Sequence, residues 1–358
     1  MSDDETPTST ATPTTPSVTF TPNTSEKIQS AVQSLSSIVN PSLPISSTTT
    51  PLSILNEPEI YSQIATLLRS PNSGSGDNNL CRWLYDTFQS NVPDLQLIVL
   101  RFLPIIAGVY LSRVADRKPQ AGFEAVLLAL YAYETTSRAG ESVTVTIPDM
   151  SHPSVYHESK STMNKNNATD LNVAVLSPSL EPHGTVRSTR RARIVGVALE
   201  LFYSKISQIA IESKIDFCKF CKIWAGEDGD MYKDFEDDDL EDVDDDNNNN
   251  NDVEREIVEI EEEKKEENGP NKRGRVPMPW ELLQPVLRIL GHCLLGPNNK
   301  DTVLFEAASE ACRCLFARAM HDVNPKAILP MRSLLRLSKN VGDEIDPTEP
   351  GKTDVISL

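Results

Sequence analysis

An all-α fold is expected for this chain: a helical bundle or solenoid-like stack of helices with one short extended segment and long disordered insertions. Apolar residues recur every three to four positions in one stretch after another between Pro58 and Ser338. Strand-like alternation occurs in one place only, "ESVTVTIPDM", where Val143, Val145 and Ile147 are spaced by two. A lone strand cannot make a sheet. No repeat of fixed period is present, so the helices are joined without a regular unit.

The elements follow in chain order. Residues 1–52 are rich in Ser, Thr and Pro, with one weak amphipathic patch, "SEKIQSAVQSLSSIVN" (25–40), and read as disordered. A helical core spans 53–225. "PEIYSQIATLLRS" (58–70) places Ile60, Ile64, Leu67 and Leu68 at helical spacing, and "PNSGSGD" ends it. "LCRWLYDTFQSN" (80–91) carries Leu80, Trp83, Leu84 and Phe88. Residues 92–113 continue with Leu95, Ile98, Val99, Phe102, Ile106 and Tyr110, and Pro104 should kink or divide this helix, because it cannot donate a backbone bond. "QAGFEAVLLALYAYETT" (120–136) is the strongest helical stretch, stopped by Gly140. Residues 163–189 are polar and irregular, and 190–223 form one or two helices with Ile194, Val197, Leu201, Phe202, Ile206 and Ile209 inward. Residues 226–275 make an acidic Asp/Asn/Glu-rich loop. It is short of apolar residues, so nothing offsets an ordering cost of roughly 1–2 kcal/mol per backbone residue, and disorder is expected. Helices resume over 276–340: 279–295, the Ala-rich 302–320, and 325–338 with Leu329, Leu334, Leu335 and Leu337 as its apolar residues. A polar tail, 341–358, follows.

The net charge of -18 has a single origin. Residues 227–267 hold 22 acids and 4 bases, which leaves 30 of each sign elsewhere, so the remainder is no basic nucleic-acid binder. The first twenty residues lack a basic and apolar leader, and the most apolar runs, 99–114 and 194–211, are broken by charges and Pro104; a soluble, intracellular protein is expected. Six scattered cysteines fit a reducing compartment.

Three patterns carry chemistry-bearing residues. "TIPDMSHPSVYHE" (146–158) holds two of the five histidines with Asp149, Tyr156 and Glu158, but Pro148 and Pro153 force an extended path, so His152 and His157 cannot share a helical face. Hydrogen bonding that pins a loop outweighs catalysis here. Cys218-x-x-Cys221 and Cys312-x-Cys314 offer four thiols, yet both lie in helical patterns with no turn glycine between the members, so core packing is the expectation; a zinc-dependent enzyme or zinc-stabilised helical protein using Cys218/Cys221 and His152/His157 is the alternative. "RSTRRAR" places Arg187, Arg190, Arg191 and Arg193 together as a candidate contact for anionic lipid, on the order of 1 kcal/mol per basic residue near such a bilayer. Without interleaved aromatics it makes a poor nucleic-acid site. No nucleotide-binding, nucleophile-elbow or metalloprotease motif occurs.

"RFLPIIAGVYL" (101–111), "GFEAVLLALYAYE" (122–134) and "TIPDMSHPSVYHE", in that order and spacing, resemble the hyccin family, and the last is its most recognisable signature. "PWELLQPVLRILGHCLLGPNN" and "NPKAILPMRSLLRL" are similar to its plant branch. The acidic loop and short tail depart from animal members, which have long C-terminal tails. The resemblance implies a non-catalytic, all-helical subunit without cofactor. It implies as partners a tetratricopeptide-repeat-like scaffold, a type III alpha phosphatidylinositol 4-kinase and an acylated membrane-anchoring protein. The place implied is the cytosol and the plasma membrane, peripherally through those partners. Pro153, Tyr156, His157 and Glu158 then become candidates for partner contact or for shaping the domain surface.

Overall fold

The computed structural model describes residues 22–39, 51–115, 118–148, 171–182, 190–226, 277–297 and 301–340. Among these residues the fold is helical: α1 (Pro22–Ser36), α2 (Pro51–Asn56), α3 (Pro58–Arg69), α4 (Asn79–Gln89), α5 (Pro93–Arg101), α6 (Leu103–Ala115), α7 (Ala121–Ser137), α8 (Arg191–Ser204), α9 (Ile211–Ala225), α10 (Trp280–Leu295), α11 (Thr302–His321) and α12 (Pro325–Asn340). One small antiparallel sheet, β1 (Val143–Pro148) with β2 (Leu171–Ser177), interrupts them. The expected disorder of the acidic loop and of the tail lies outside the described residues.

Local chemistry explains the helix ends. Pro58 and Pro93 open α3 and α5, where a missing amide hydrogen costs nothing. Asn78 caps α4 by accepting from the Cys81 amide at 3.0 Å, and Asp301 caps α11 by accepting from the Leu304 amide at 2.9 Å. Gly226 closes α9 at φ +64°, a left-handed conformation that glycine reaches without steric cost. Pro104 divides rather than kinks its helix: α5 and α6 break at Phe102 and meet at 45°. No single described helix is long and apolar enough to cross a membrane, and the bent pair that passes by composition buries Leu95, Ile98, Phe102 and Ile106 in the core.

Three expectations change. The patch at 25–40 is a packed helix: Ile28, Leu35 and Val39 are buried, and Trp83 Nε1 of α4 donates to the Ala31 carbonyl at 2.9 Å. Its stripe is short and diluted by serines, so composition hides it, but a hydrophobic wall in α4 supplies the missing partner. The strand-like 143–147 stretch has a mate in the region read as irregular, because Leu171–Ser177 pairs with it from Pro148↔Leu171 back to Val143↔Ser177. On α12, Leu329 and Leu337 face outward while Ala327 and Met331 are buried, so the inward face is set by neighbours and not by leucine spacing.

α9 is the centre of the molecule. It packs on α6 on one side and α11 on the other, and a run of rings, Phe202, Phe217, Phe220 and Trp224, lines its contacts. α10 returns across α8 at a crossing that needs glycine: a Cβ on Gly196 would lie 2.4 Å from the Glu281 carbonyl oxygen. That carbonyl is the one Pro285, four residues on, cannot donate to. The same face carries a charge network in which Arg138 meets Glu134 at 3.2 Å and Glu200 at 3.5 Å, and Arg288 meets Glu200 at 3.8 Å while stacking over Tyr203.

Candidate functional site

The β1–β2 hairpin projects from this helical body. Its base is anchored: the Leu180 amide donates to the Gly140 carbonyl at 2.9 Å, Leu180 is buried, and Tyr131 Oη donates to the Glu181 carbonyl at 3.1 Å. Among the described residues its strands are largely uncovered. Val145, Ile147, Val173 and Val175 are exposed, Val173 by 66%, and neither strand carries a charge. Thr144 pairs with Val175 and Thr146 with Val173, so these four share one face, and Val145 lies with Ala174 on the other. An uncharged two-stranded ribbon with open edges is a template for another polypeptide unless something covers it.

Thr146, Ile147 and Pro148, the start of the 146–158 signature, end strand β1. His152, Pro153, Tyr156, His157 and Glu158 lie outside the described residues, as does Arg187. The other three arginines of the basic cluster gather at the hairpin base. Arg193 is buried, and its Nη2 donates to the carbonyls of Pro178 at 3.1 Å and Ser179 at 3.0 Å, so it is removed from the lipid-contact expectation. Arg190 pairs with Glu181, and Arg191 approaches Glu124 at 4.0 Å. Arginines in this run fasten the exit of β2 to α8, a task that residue spacing alone does not reveal.

The thiols are core groups. Cys218, Cys221, Cys293, Cys312 and Cys314 are all buried where α9, α10 and α11 meet. A hydrogen bond with Cys293, reinforced by burial, holds the Cys218 thiol well above its usual range, and burial does the same at Cys221 and pushes Cys312 up to about 12. Such groups stay protonated and unreactive near neutrality. The Cys-x-x-Cys and Cys-x-Cys pairs do approach one another, but among the described residues no group of three or more His, Cys, Asp or Glu is arranged to hold a metal ion.

A second polar cluster joins distant helices. Asp216 on α9 is buried and accepts from Tyr61 Oη at 2.7 Å, while Arg69 stands at 2.9 Å and Lys219 at 3.1 Å from its other oxygen. Burial, then the neighbouring Asp216 charge, raises the Tyr61 pKa far above the ordinary phenol value. Arg101 lies over the Tyr61 ring, 5.1 Å from its centroid, and donates to Asn56 Oδ1 at 2.9 Å. Each side chain has a partner, although Arg101 Nε is buried without an acceptor among the described residues, and the cluster acts as a clamp between α2, α3, α5 and α9. Only Lys219 is close in sequence to its mate, three residues from Asp216 on the same helix; Tyr61, Arg69 and Arg101 meet partners far along the chain, which leaves no local signal.

The surfaces left over are apolar ribbon, outward leucines and half-buried ion pairs, which suit docking to another macromolecule. The family model described as Hyccin matches residues 45–350, taking in the hairpin, the Asp216 clamp and the helices on both sides of the acidic run. The chain belongs to the hyccin family.

Proposed function

We propose that the protein is a non-catalytic, scaffold-binding regulatory subunit, of the plant branch of its family, that stabilises a type III alpha phosphatidylinositol 4-kinase complex. It would thereby support phosphatidylinositol 4-phosphate synthesis at the plasma membrane. The observation that carries this reading is family membership over residues 45–350. The exposed hairpin agrees with it, since Val173 and Val175 offer apolar side chains on a ribbon whose first strand ends in Thr146, Ile147 and Pro148, the start of the signature that also holds Pro153, Tyr156, His157 and Glu158 in sequence. In this reading the repeat scaffold takes the hairpin and the kinase and acylated anchor join through the scaffold. The subunit sits peripherally on the cytosolic face of the membrane, with Arg187, Arg190 and Arg191 nearest the lipid.

Affinity purification of the tagged protein from its own cells, in mild detergent, should recover the kinase and the repeat scaffold. Val173→Asp with Val175→Asp should cut that recovery at least fivefold without moving the melting temperature, because both side chains are exposed. Absence of both partners from the wild-type eluate ends the proposal.

A further inference from the structure

A groove of about 490 Å³ runs between α6 and α9, large enough to take several side chains of a docked segment. Its walls include Pro104, Val109, Phe220 and Ile223 and the cations Arg69, Arg113, Lys118 and Lys219, against one acid, Asp216. Arg69 and Lys219 share a single Asp216 oxygen, and the Arg113 guanidinium donates to Ser70 and Ser73 rather than to any carboxylate among the described residues. Ile223 is 66% exposed at the groove edge. Positive charge beside an apolar floor calls for an occupant that is acidic with interspersed apolar side chains.

Such a sequence begins where the groove wall ends. α9 stops at Ala225, two residues beyond Ile223, and the chain enters the run that carries the whole net charge. Within it, "MYKDFEDDDLEDVDDD" (231–246) has ten acids and one lysine, with Met231, Tyr232, Phe235, Leu240 and Val243 among them. Nine residues separate Phe235 from Gly226 in sequence, a length that can reach roughly 15–18 Å, so Phe235 is within reach of the groove. The two ends of the excursion are also tied together, since Trp224 Nε1 donates to the Pro277 carbonyl at 3.2 Å. That tether holds the acidic run at an effective concentration on the order of millimolar.

We propose that the α6–α9 groove is an intramolecular docking site for the chain's own acidic segment, residues 231–246. Its carboxylates meet Arg69, Lys118 and Lys219, and its apolar side chains cover Ile223 and Val109. This inference stands apart from the assembly reading.

The test uses a fluorescent peptide of residues 231–246 added to the intact chain and to a full-length variant with every Asp and Glu from 234 to 246 changed to Asn or Gln. The neutralised chain should bind the peptide about tenfold more tightly, with binding falling several-fold between 50 and 300 mM salt. Lys219→Glu with Ile223→Glu in that background should abolish it. Both positions are exposed, and unchanged melting confirms the fold. Equal binding to intact and neutralised chains overturns the proposal, as does binding indifferent to the two groove substitutions. So does capture of phosphatidylserine vesicles through Lys219 and Ile223 by a neutralised chain that ignores the peptide.

Discussion

Lys214 has no exposed surface, and among the described residues its Nζ has no hydrogen-bond acceptor. It faces Cys293 and His292 of α10, and burial lowers its pKa from the ordinary lysine value. An ammonium there would be a buried charge without a counter-ion, which the fold disfavours. Lys214→Met keeps the packing stem and removes the polar tip, so we expect a gain of about 1–3 kcal/mol near neutral pH, read as a higher denaturant midpoint at unchanged m. The pH dependence has a definite sign. Between the lowered folded pKa and the unfolded value of about 10.4, the unfolded chain binds a proton that the folded chain does not. Wild-type stability therefore rises with pH across that window. The gap between Lys214→Met and wild type should narrow between pH 7 and 9.5; a constant gap would mean that the lysine titrates as in water.

At the scale of elements, the α8–α10 crossing depends on a missing side chain. Gly196→Ala would drive a methyl group to 2.4 Å from the Glu281 carbonyl oxygen, and separating the helices should cost about 1–3 kcal/mol. Gly291→Ala, on α10 itself, meets only the Leu334 side chain at 3.4 Å. It should be neutral or stabilising by up to about 1 kcal/mol through helix propensity. Thermal melts of the two variants separate packing from propensity, and similar shifts would contradict the crossing. The consequence reaches the charge network, because Glu200 on α8 holds Arg138 beyond α7 and Arg288 on α10 together only while those helices stay close.

For the whole molecule, the acidic run interrupts the chain without interrupting the fold. Trp224 meets Pro277 across it, and Arg318 Nη1 of α11 donates to the Ala225 carbonyl at 3.1 Å, so the two halves are fastened at the point where the run leaves and returns. Deleting residues 227–267 should leave helical content intact and shift the melting temperature by less than about 3 °C, since a shorter loop between fixed ends changes closure entropy only slowly with length. A large fall in circular-dichroism signal would show that the run supports the core. The helices from α3 onward were legible in the sequence, because burying one face of a helix imposes a three-to-four-residue period that survives without knowledge of neighbours. The break at Phe102 and the stop at Gly140 were legible for the same local reason, a proline that cannot donate and a glycine at φ +74°. Pairing was not legible. β2 is short and set in polar surroundings, the Asp216 clamp draws on Tyr61, Arg69 and Lys219, and the groove takes cations from positions 69 to 219. By itself the sequence determined which segments after Pro58 become helices and that no familiar catalytic motif is written among them, while α1 was hidden by its serines. Only the tertiary structure decided which arginines are spent inside the fold, which leucines face outward and which cations share a groove, because contacts between residues far apart in the chain leave no periodic trace along it.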